Sequence, residues 1–473
     1  MKRRSLSFVI GAGAAAVCVA APASVVGAEP VKATPAESFI DSIGVCAHWG
    51  YGDRVYGTRY AEVRKKLVES GIRHVRDGIS RPVEIERIKE LGKIGIRHCV
   101  VAEPDAGGTP EGFRDLVIAI NKAVPGAVDA VEGPNEPDYF WHSGKKQYGG
   151  KNGGNSPEEA VAAAVLYHKD LFRAFRAKPE TEKITVLGIA LGKTYGPGTN
   201  PIPAGELTDF VDWGNFHPYM GGNPFSFPFP YAGIEKYIWH GTNPSQNMDE
   251  FPYAFETYQP PYGKKPMAAT ECGAATDTNG TSESAHGKYI PRMFLEYFRK
   301  GIKRAYSYEL VDEGTNSGER EERFGLLRND LTEKPAFVAV KNLIRVLADP
   351  QGKKPWTPGT LDYSVKVSPP SGYDRPQYVR SVLLQRKTDG AFYLALWHEI
   401  SAEDGSTHPR RQLSHPPMPT TVSLNARVYP AVRIWEWNED GTVKERQARF
   451  DGKSLDISVT DRITLVKIAP KPR

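Results

Sequence analysis

Cysteine is scarce in this chain: there are four in 473 residues, and Cys18 falls in an N-terminal run that reads as a removable leader. The other three, Cys46, Cys99 and Cys272, show no metal-type spacing, and an odd number of thiols leaves at least one unpaired. A disulfide framework is therefore excluded as the organising principle. Either Cys46 and Cys99 form one bridge, or all three are buried thiols acting as small hydrophobes. The second is expected.

An excess of one charge is also lacking. Lys2, Arg3 and Arg4 precede an apolar stretch from Phe8 to Ala21, and Val26-Gly27-Ala28 offers small residues for cleavage. Residues 1–28 thus read as a secretory signal, and the protein is expected to be secreted, extracellular or periplasmic. Ala15-Ala16-Val17 makes a poor lipoprotein box before Cys18, which favours release over lipid anchoring. Without the leader, 58 Lys+Arg face 56 Asp+Glu. Such balance argues against nucleic acid or anionic lipid as a partner. No later run reaches about 18 apolar residues, so no membrane span is expected.

A nucleotide fingerprint is missing too. Gly50-Tyr51-Gly52 follows the first strand-like segment, but no helical glycine completes the turn a dinucleotide fold requires. What is present is an alternation of short apolar strands and amphipathic helices from Ile40 to about Asp349. The strands are Ser42–Ala47, Ile72–Arg76, Arg97–Val101, Val128–Glu132, Ile184–Ile189, Val211–His217, Pro266–Thr270 and Arg304–Tyr308. Helical patterns cover Tyr60–Ser70, Val83–Lys93, Glu111–Ala123, Pro157–Ala177, Glu283–Arg299 and Ala336–Leu347, with Ser156 and Pro157 a good helix start. Eight such units imply an α/β fold, a (β/α)8 TIM barrel, over residues 36–350. A Pro/Gly/Lys-rich linker opens residues 351–473, where the apolar period changes to two. That predicts a C-terminal antiparallel β-sandwich.

Two motifs carry chemistry. Asn135-Glu136-Pro137-Asp138 follows the apolar run ending at Val131, and Met267-Ala268-Ala269-Thr270-Glu271-Cys272-Gly273 repeats the pattern downstream. In each, a strand ends in a carboxylate and the chain turns. A barrel places catalytic groups at the C-terminal ends of its strands. Two carboxylates there are what glycosidic cleavage requires: one protonates the leaving oxygen, the other attacks the sugar or activates water.

On these motifs the chain resembles the retaining glycoside hydrolases of clan A, closest in layout to family 39 and its neighbours. The resemblance implies that Glu136 is the acid/base, Glu271 the nucleophile, and Asn135 a partner for the sugar 2-hydroxyl. It further implies that Arg76 sits beside the nucleophile and that Tyr219 hydrogen-bonds it, with His217 on the same wall. Many clan members end strand eight in tryptophan. Here the strand reads Ala305-Tyr306-Ser307-Tyr308-Glu309, and Tyr308 or Glu309 takes that place.

The remaining candidates carry two readings each. Glu132, four residues before Glu136, holds either Arg76 or the acid. His48 and Trp49 contact sugar, or the tryptophan simply packs. The aromatic-rich segment from Tyr219 to Tyr262 is either a stacking surface or a self-packed loop. No metal and no cofactor is expected. The substrate class is an oligo- or polysaccharide, and the mechanism a double displacement. The rivals are a non-catalytic glycan-binding barrel and a transglycosylase using the same residues.

Overall fold

The computed structural model describes residues 30–104, 108–143, 146–193, 195, 198–219, 257–373, 376–405, 407–424, 431–448, 450 and 453–469. The expected leader and nearly all of the aromatic-rich segment lie outside the described residues. No helix among the described residues is long and apolar enough to cross a membrane.

Eight parallel strands form one sheet: β1 (Ile43–Cys46), β2 (His74–Asp77), β3 (Arg97–Val101), β4 (Val128–Glu132), β5 (Thr185–Leu187), β6 (Gly214–Phe216), β7 (Met267–Cys272) and β8 (Ala305–Ser307). Their order is sequential, with β8 beside β1. A parallel bridge between Leu187 and Trp213 joins β5 to β6 and closes the ring. The barrel expected from the sequence is present.

Alternation along the strands sets most of their faces, and β4 departs from it at Asp129, where its register on β3 shifts. Outward residues such as Val100, Val128, Val131 and Val186 pack on helices α3 (Pro110–Ala123) and α4 (Pro157–Arg176) through Val117, Ile120, Tyr167, Leu171 and Phe175. Inward residues Cys46, Cys99, Ala130, Leu187, Ala268 and Tyr306 form one packed layer inside the barrel. Two positions further on, the same period reaches His48, Val101, Glu132, Thr270 and Tyr308 at the C-terminal mouth. Cys46, Cys99 and Cys272 are free, buried thiols. Helix α4 begins as its sequence indicates: Ser156 accepts from the Glu159 amide at 3.2 Å, and Pro157 opens the first turn.

Beyond the barrel, β9 (Tyr363–Val367), β12 (Met418–Leu424) and β15 (Ser454–Val459) form a three-stranded antiparallel sheet. A second sheet contains β10 (Val379–Gln385), β11 (Phe392–His398), β16 (Thr464–Ala469), β13 (Ala431–Trp437) and β14 (Val443–Gln447). Leu394, Leu396, Val422, Ile434, Ile457 and Val466 fill the space between the two. Two features were not expected. Strand β9 extends the sandwich toward the linker, and Thr34–Pro35, ahead of the barrel, adds a parallel strand beside β10.

The sandwich packs on helices α5 (Glu283–Arg299) and α6 (Pro335–Leu347), where Tyr393, Trp397, Trp437 and Leu465 join the barrel's main core. Fully buried Arg292 of α5 donates to the carbonyls of His398 and Ile400, both at 3.0 Å. Trp437 Nε1 donates to the Ala339 carbonyl of α6 at 3.2 Å. This seam combines apolar burial with paired polar groups, so the two parts form a continuous core.

Candidate active site

A cleft of about 730 Å³ opens at the C-terminal mouth, lined by His48, Tyr51, Arg76, Asn135, Glu136, His217, Tyr219, Glu271 and Tyr308 among others. They come from the ends of β1, β2, β4, β6, β7 and β8 or the loops after them. At the centre, one carboxyl oxygen of Glu136, one of Glu271 and a ring nitrogen of His217 lie within 4.8 Å of one another.

Arg76 organises one side of the site. Its Nη1 donates to Glu271 Oε1 at 2.6 Å, and its Nη2 donates to Asn135 Oδ1 at 2.6 Å. Nε and Nη2 also fork onto Glu132, at 2.6 and 3.0 Å. Tyr219 donates its hydroxyl to Glu271 Oε2 at 2.6 Å. The nucleophile candidate thus has a donor on each oxygen, a setting that favours the carboxylate. Glu271 breaks the strand's alternation, because β7 and β8 shift register between Ala269 and Cys272.

His217 links the two halves. Its Nδ1 lies 2.6 Å from Glu136 Oε1, and its Nε2 is 3.0 Å from Thr270 Oγ1. Thr270 spends its own proton on Asn215 Oδ1 at 2.9 Å. The threonine oxygen must then accept from His217, which fixes a proton on Nε2. Burial alone would strip the second proton. The negative charge of Glu271 and the bonds to Glu132 and Glu136 outweigh it and push the imidazole up to about 10.

The carboxyls then divide. Burial pushes Glu132 up, but the charge and fork of Arg76 prevail and hold it at about 2. Burial also opposes ionisation of Glu271. The His217 and Arg76 charges and the Tyr219 bond outweigh it, and Glu271 lies below its usual range. For Glu136 burial wins, aided by the negative charge of Glu271, and its pKa is raised. Charge balance gives the same division. Three buried carboxyls face two cations, so one must keep its proton, and Glu136 is the one without a direct arginine partner.

Glu136 does not continue β4, which ends at Glu132. The chain turns through Gly133 and Pro134, and Glu136 itself adopts φ +42°. Two supports absent from the sequence reading hold that loop. Glu103 accepts from the Asn135 amide at 2.9 Å and pairs with Lys146. Buried Asp138 accepts from the amides of Gly192 and Lys193, at 2.8 and 2.9 Å, and from the Tyr195 hydroxyl at 2.9 Å. Gly192 leaves no room for a side chain: a Cβ there would lie 2.9 Å from Glu136 Cβ and Cδ and 2.7 Å from Tyr139 Cβ. Gly192→Ala should therefore displace the carboxyl and lower kcat on the order of 10²-fold, with little change in KM. Steady-state kinetics beside a thermal melt will separate this from unfolding.

No protein-family model matches the chain, and no curated relative does. Solved structures do match. A family 39 glycoside hydrolase from the gut symbiont Bacteroides cellulosilyticus WH2 aligns over 92% of this chain and 82% of its own, with a TM-score of 0.55 and 15% identity. AbfB, a family 51 α-L-arabinofuranosidase from Bifidobacterium longum, aligns over 94% and 99%, with a TM-score of 0.55 and 11% identity. CelM2, a bifunctional glucanase-xylanase from a metagenome library, covers 93% and 97%, at TM-score 0.52 and 11% identity. The chain shares its overall fold with these enzymes. At such identities the likeness extends to architecture, barrel and sandwich together, and the chemistry rests on this chain's own residues.

Most of the sequence candidates meet in the cleft: Arg76, Asn135, Glu136, His217, Tyr219, Glu271, His48 and Tyr308 all line it. Two do not. Trp49 is 0% exposed, bonds His98 Nε2 through Nε1 at 3.3 Å, and packs edge-on against Tyr56 and Tyr60. It sits in a tight turn, where the Tyr51 amide donates to the His48 carbonyl at 3.0 Å and its own amide donates to buried Asp77 at 2.7 Å, and its ring lies in the core. Glu132, also 0% exposed, lies behind Arg76 and positions it without reaching the cleft. Tyr308 meets His48, Tyr219 and Phe324 edge to face.

Proposed function

We propose that the protein is a retaining glycoside hydrolase that cleaves O-glycosidic bonds of an oligo- or polysaccharide by double displacement. The observation that carries this reading is the carboxyl pair, with oxygens of Glu136 and Glu271 within 4.8 Å. Retaining enzymes place their two carboxyls about 5–5.5 Å apart, and inverting enzymes need about 6.5–9.5 Å to admit a water. The opposed pKa directions support the same division of labour.

In the first step Glu271 attacks the anomeric carbon, the glycosidic C–O bond breaks, and Glu136 gives its proton to the departing oxygen. His217 donates to Glu136 Oε1, which leaves Oε2 to carry the proton transferred. In the second step Glu136, now ionised, takes a proton from water as that water displaces Glu271. Arg76 spans Asn135 and Glu271, so one cation sets the distance between the 2-hydroxyl contact and the attacking oxygen. The basic-then-apolar run at residues 1–28 supports an exported enzyme.

Proton NMR of fresh hydrolysis products, run across a panel of glycosides and polysaccharides, tests the reading. The expected result is a first-formed sugar with the anomeric configuration of the substrate. An inverted first product rules out the covalent intermediate. Binding without cleavage of any panel member favours the glycan-binding rival.

A further inference from the structure

A second compact group of titratable side chains, of which His48 lines the cleft and the others stand behind it, takes no part in the chemistry above. His48 follows β1, and Glu309 and Glu313 follow β8. One ligand-type atom from each lies within 4.8 Å of the others. His48 Nε2 is 3.5 Å from Glu309 Oε2 and 3.4 Å from Glu313 Oε1. These separations exceed the 2.7–3.2 Å usual for N–H···O hydrogen bonds. They match the edge, about 3.4 Å, of a tetrahedron whose metal–ligand bonds are about 2.1 Å.

The surroundings point the same way. Glu309 is 0% exposed, yet its Oε1 has no hydrogen-bond partner, and neither has His48 Nε2. A fully buried carboxyl with an unmatched oxygen is costly unless something else satisfies it. Among the described residues, neither Glu309 nor Glu313 forms an ion pair with lysine or arginine. The Tyr56 hydroxyl donates to Glu309 Oε2 at 2.8 Å and accepts from the Val311 amide at 3.1 Å, the kind of outer partner that orients a ligating carboxylate. Tyr51 stacks on the His48 ring at 4.6 Å and fixes its plane. The trio at Glu136, His217 and Glu271 is equally compact but already neutralised by Arg76 and the His217 protons, so it repels a cation.

We propose that His48, Glu309 and Glu313 bind a divalent first-row cation, Zn²⁺ in preference to Ca²⁺ or Mg²⁺. An imidazole with two carboxylates suits Zn²⁺, whereas Ca²⁺ and Mg²⁺ favour oxygen donors throughout. Three protein donors leave a fourth position for water or a substrate oxygen. The ion ties the segment after β1 to the segment after β8, and so fixes His48 and Tyr308 in the wall. Protonation is consistent with this role. Burial depresses His48 to about 4, leaving the neutral ring a ligand must be. Burial first, then the charge of Glu313, raises Glu309 well above its usual range. Burial also lifts Glu313, to about 7. The proposal revises the sequence expectation of no metal and stands independently of the glycosidase reading.

The test uses the full chain, stripped with chelator and titrated with Zn²⁺ by calorimetry, with metal content read by mass spectrometry. Expected are about one ion per chain and weaker heats with Ca²⁺ and Mg²⁺. Glu313→Gln should weaken Zn²⁺ binding by at least ~10²-fold, while Glu271→Gln binds as the parent does. Circular dichroism checks folding, and Glu309→Gln serves as the second variant. The proposal is overturned if Zn²⁺ does not bind, if Glu313→Gln and Glu309→Gln bind as the parent does, if Glu271→Gln loses the ion instead, or if Ca²⁺ binds more tightly.

Discussion

Glu271→Gln is expected to lower kcat by on the order of 10⁵-fold while substrate still binds. The amide keeps the shape and still accepts from Arg76 or Tyr219, but it cannot form the ester that splits the reaction into two steps. The fold should survive, because Arg76 retains its fork on Glu132. Glu271→Gly gives the sharper result. With the carboxylate gone, azide has room beside the anomeric carbon, and turnover should return as a glycosyl azide of inverted configuration. NMR of that product identifies the displaced group. If azide restores nothing while the variant remains folded and binds substrate, Glu271 is not the nucleophile.

Glu136→Gln should split substrates by their leaving groups. A natural sugar leaving group needs a proton, and losing the acid should cost on the order of 10²–10⁴-fold in kcat/KM. An activated aryl glycoside departs unaided, so its first step should be nearly unaffected. Its second step slows, and the glycosyl-enzyme should accumulate as a burst. pH dependence carries the same signature. Glu271 must be ionised, and its lowered pKa means activity falls only as pH drops below the usual carboxylate range. Glu136 must be protonated, and its raised pKa means activity persists above the usual carboxylate range and is lost as pH climbs through the raised value. In Glu136→Gln the alkaline limb should disappear and the acid limb remain. An unchanged alkaline limb assigns that ionisation to another group, with His217 the nearest candidate.

The strands were legible because each carries its apolar period and its turn within ten residues. The candidate pair was legible because a parallel barrel brings every strand's C-terminal end to one mouth, so Glu136 and Glu271 need no other information to meet. Arg76 and Tyr219 followed from the same rule together with the resemblance. For Trp49 the packing alternative is the one realised: a turn closed on the His48 carbonyl carries its ring into the core. Glu132 ends β4 where the sequence puts it and holds Arg76, one of its two expected partners, while Glu136 arrives from the loop beyond. What stayed hidden depends on contacts between distant loops. Glu103 with Lys146, Asp138 with Gly192, and Glu309 with Tyr56 leave no local pattern. The short strand Thr34–Pro35 is too brief for any period to show.

That short strand has a consequence for how the chain is made. Thr34 pairs with Leu384 and Pro35 with Gln385, so a segment ahead of the barrel is completed only by residues that follow it. During synthesis Thr34–Pro35 must wait, without its sheet partner, until β10 has emerged. Contacts of such long sequence separation are slow to close and expose edges meanwhile. The sandwich therefore acts as a lock turned last: a chain cut before β10 would leave Thr34–Pro35, near its leading end, without the strand it pairs with.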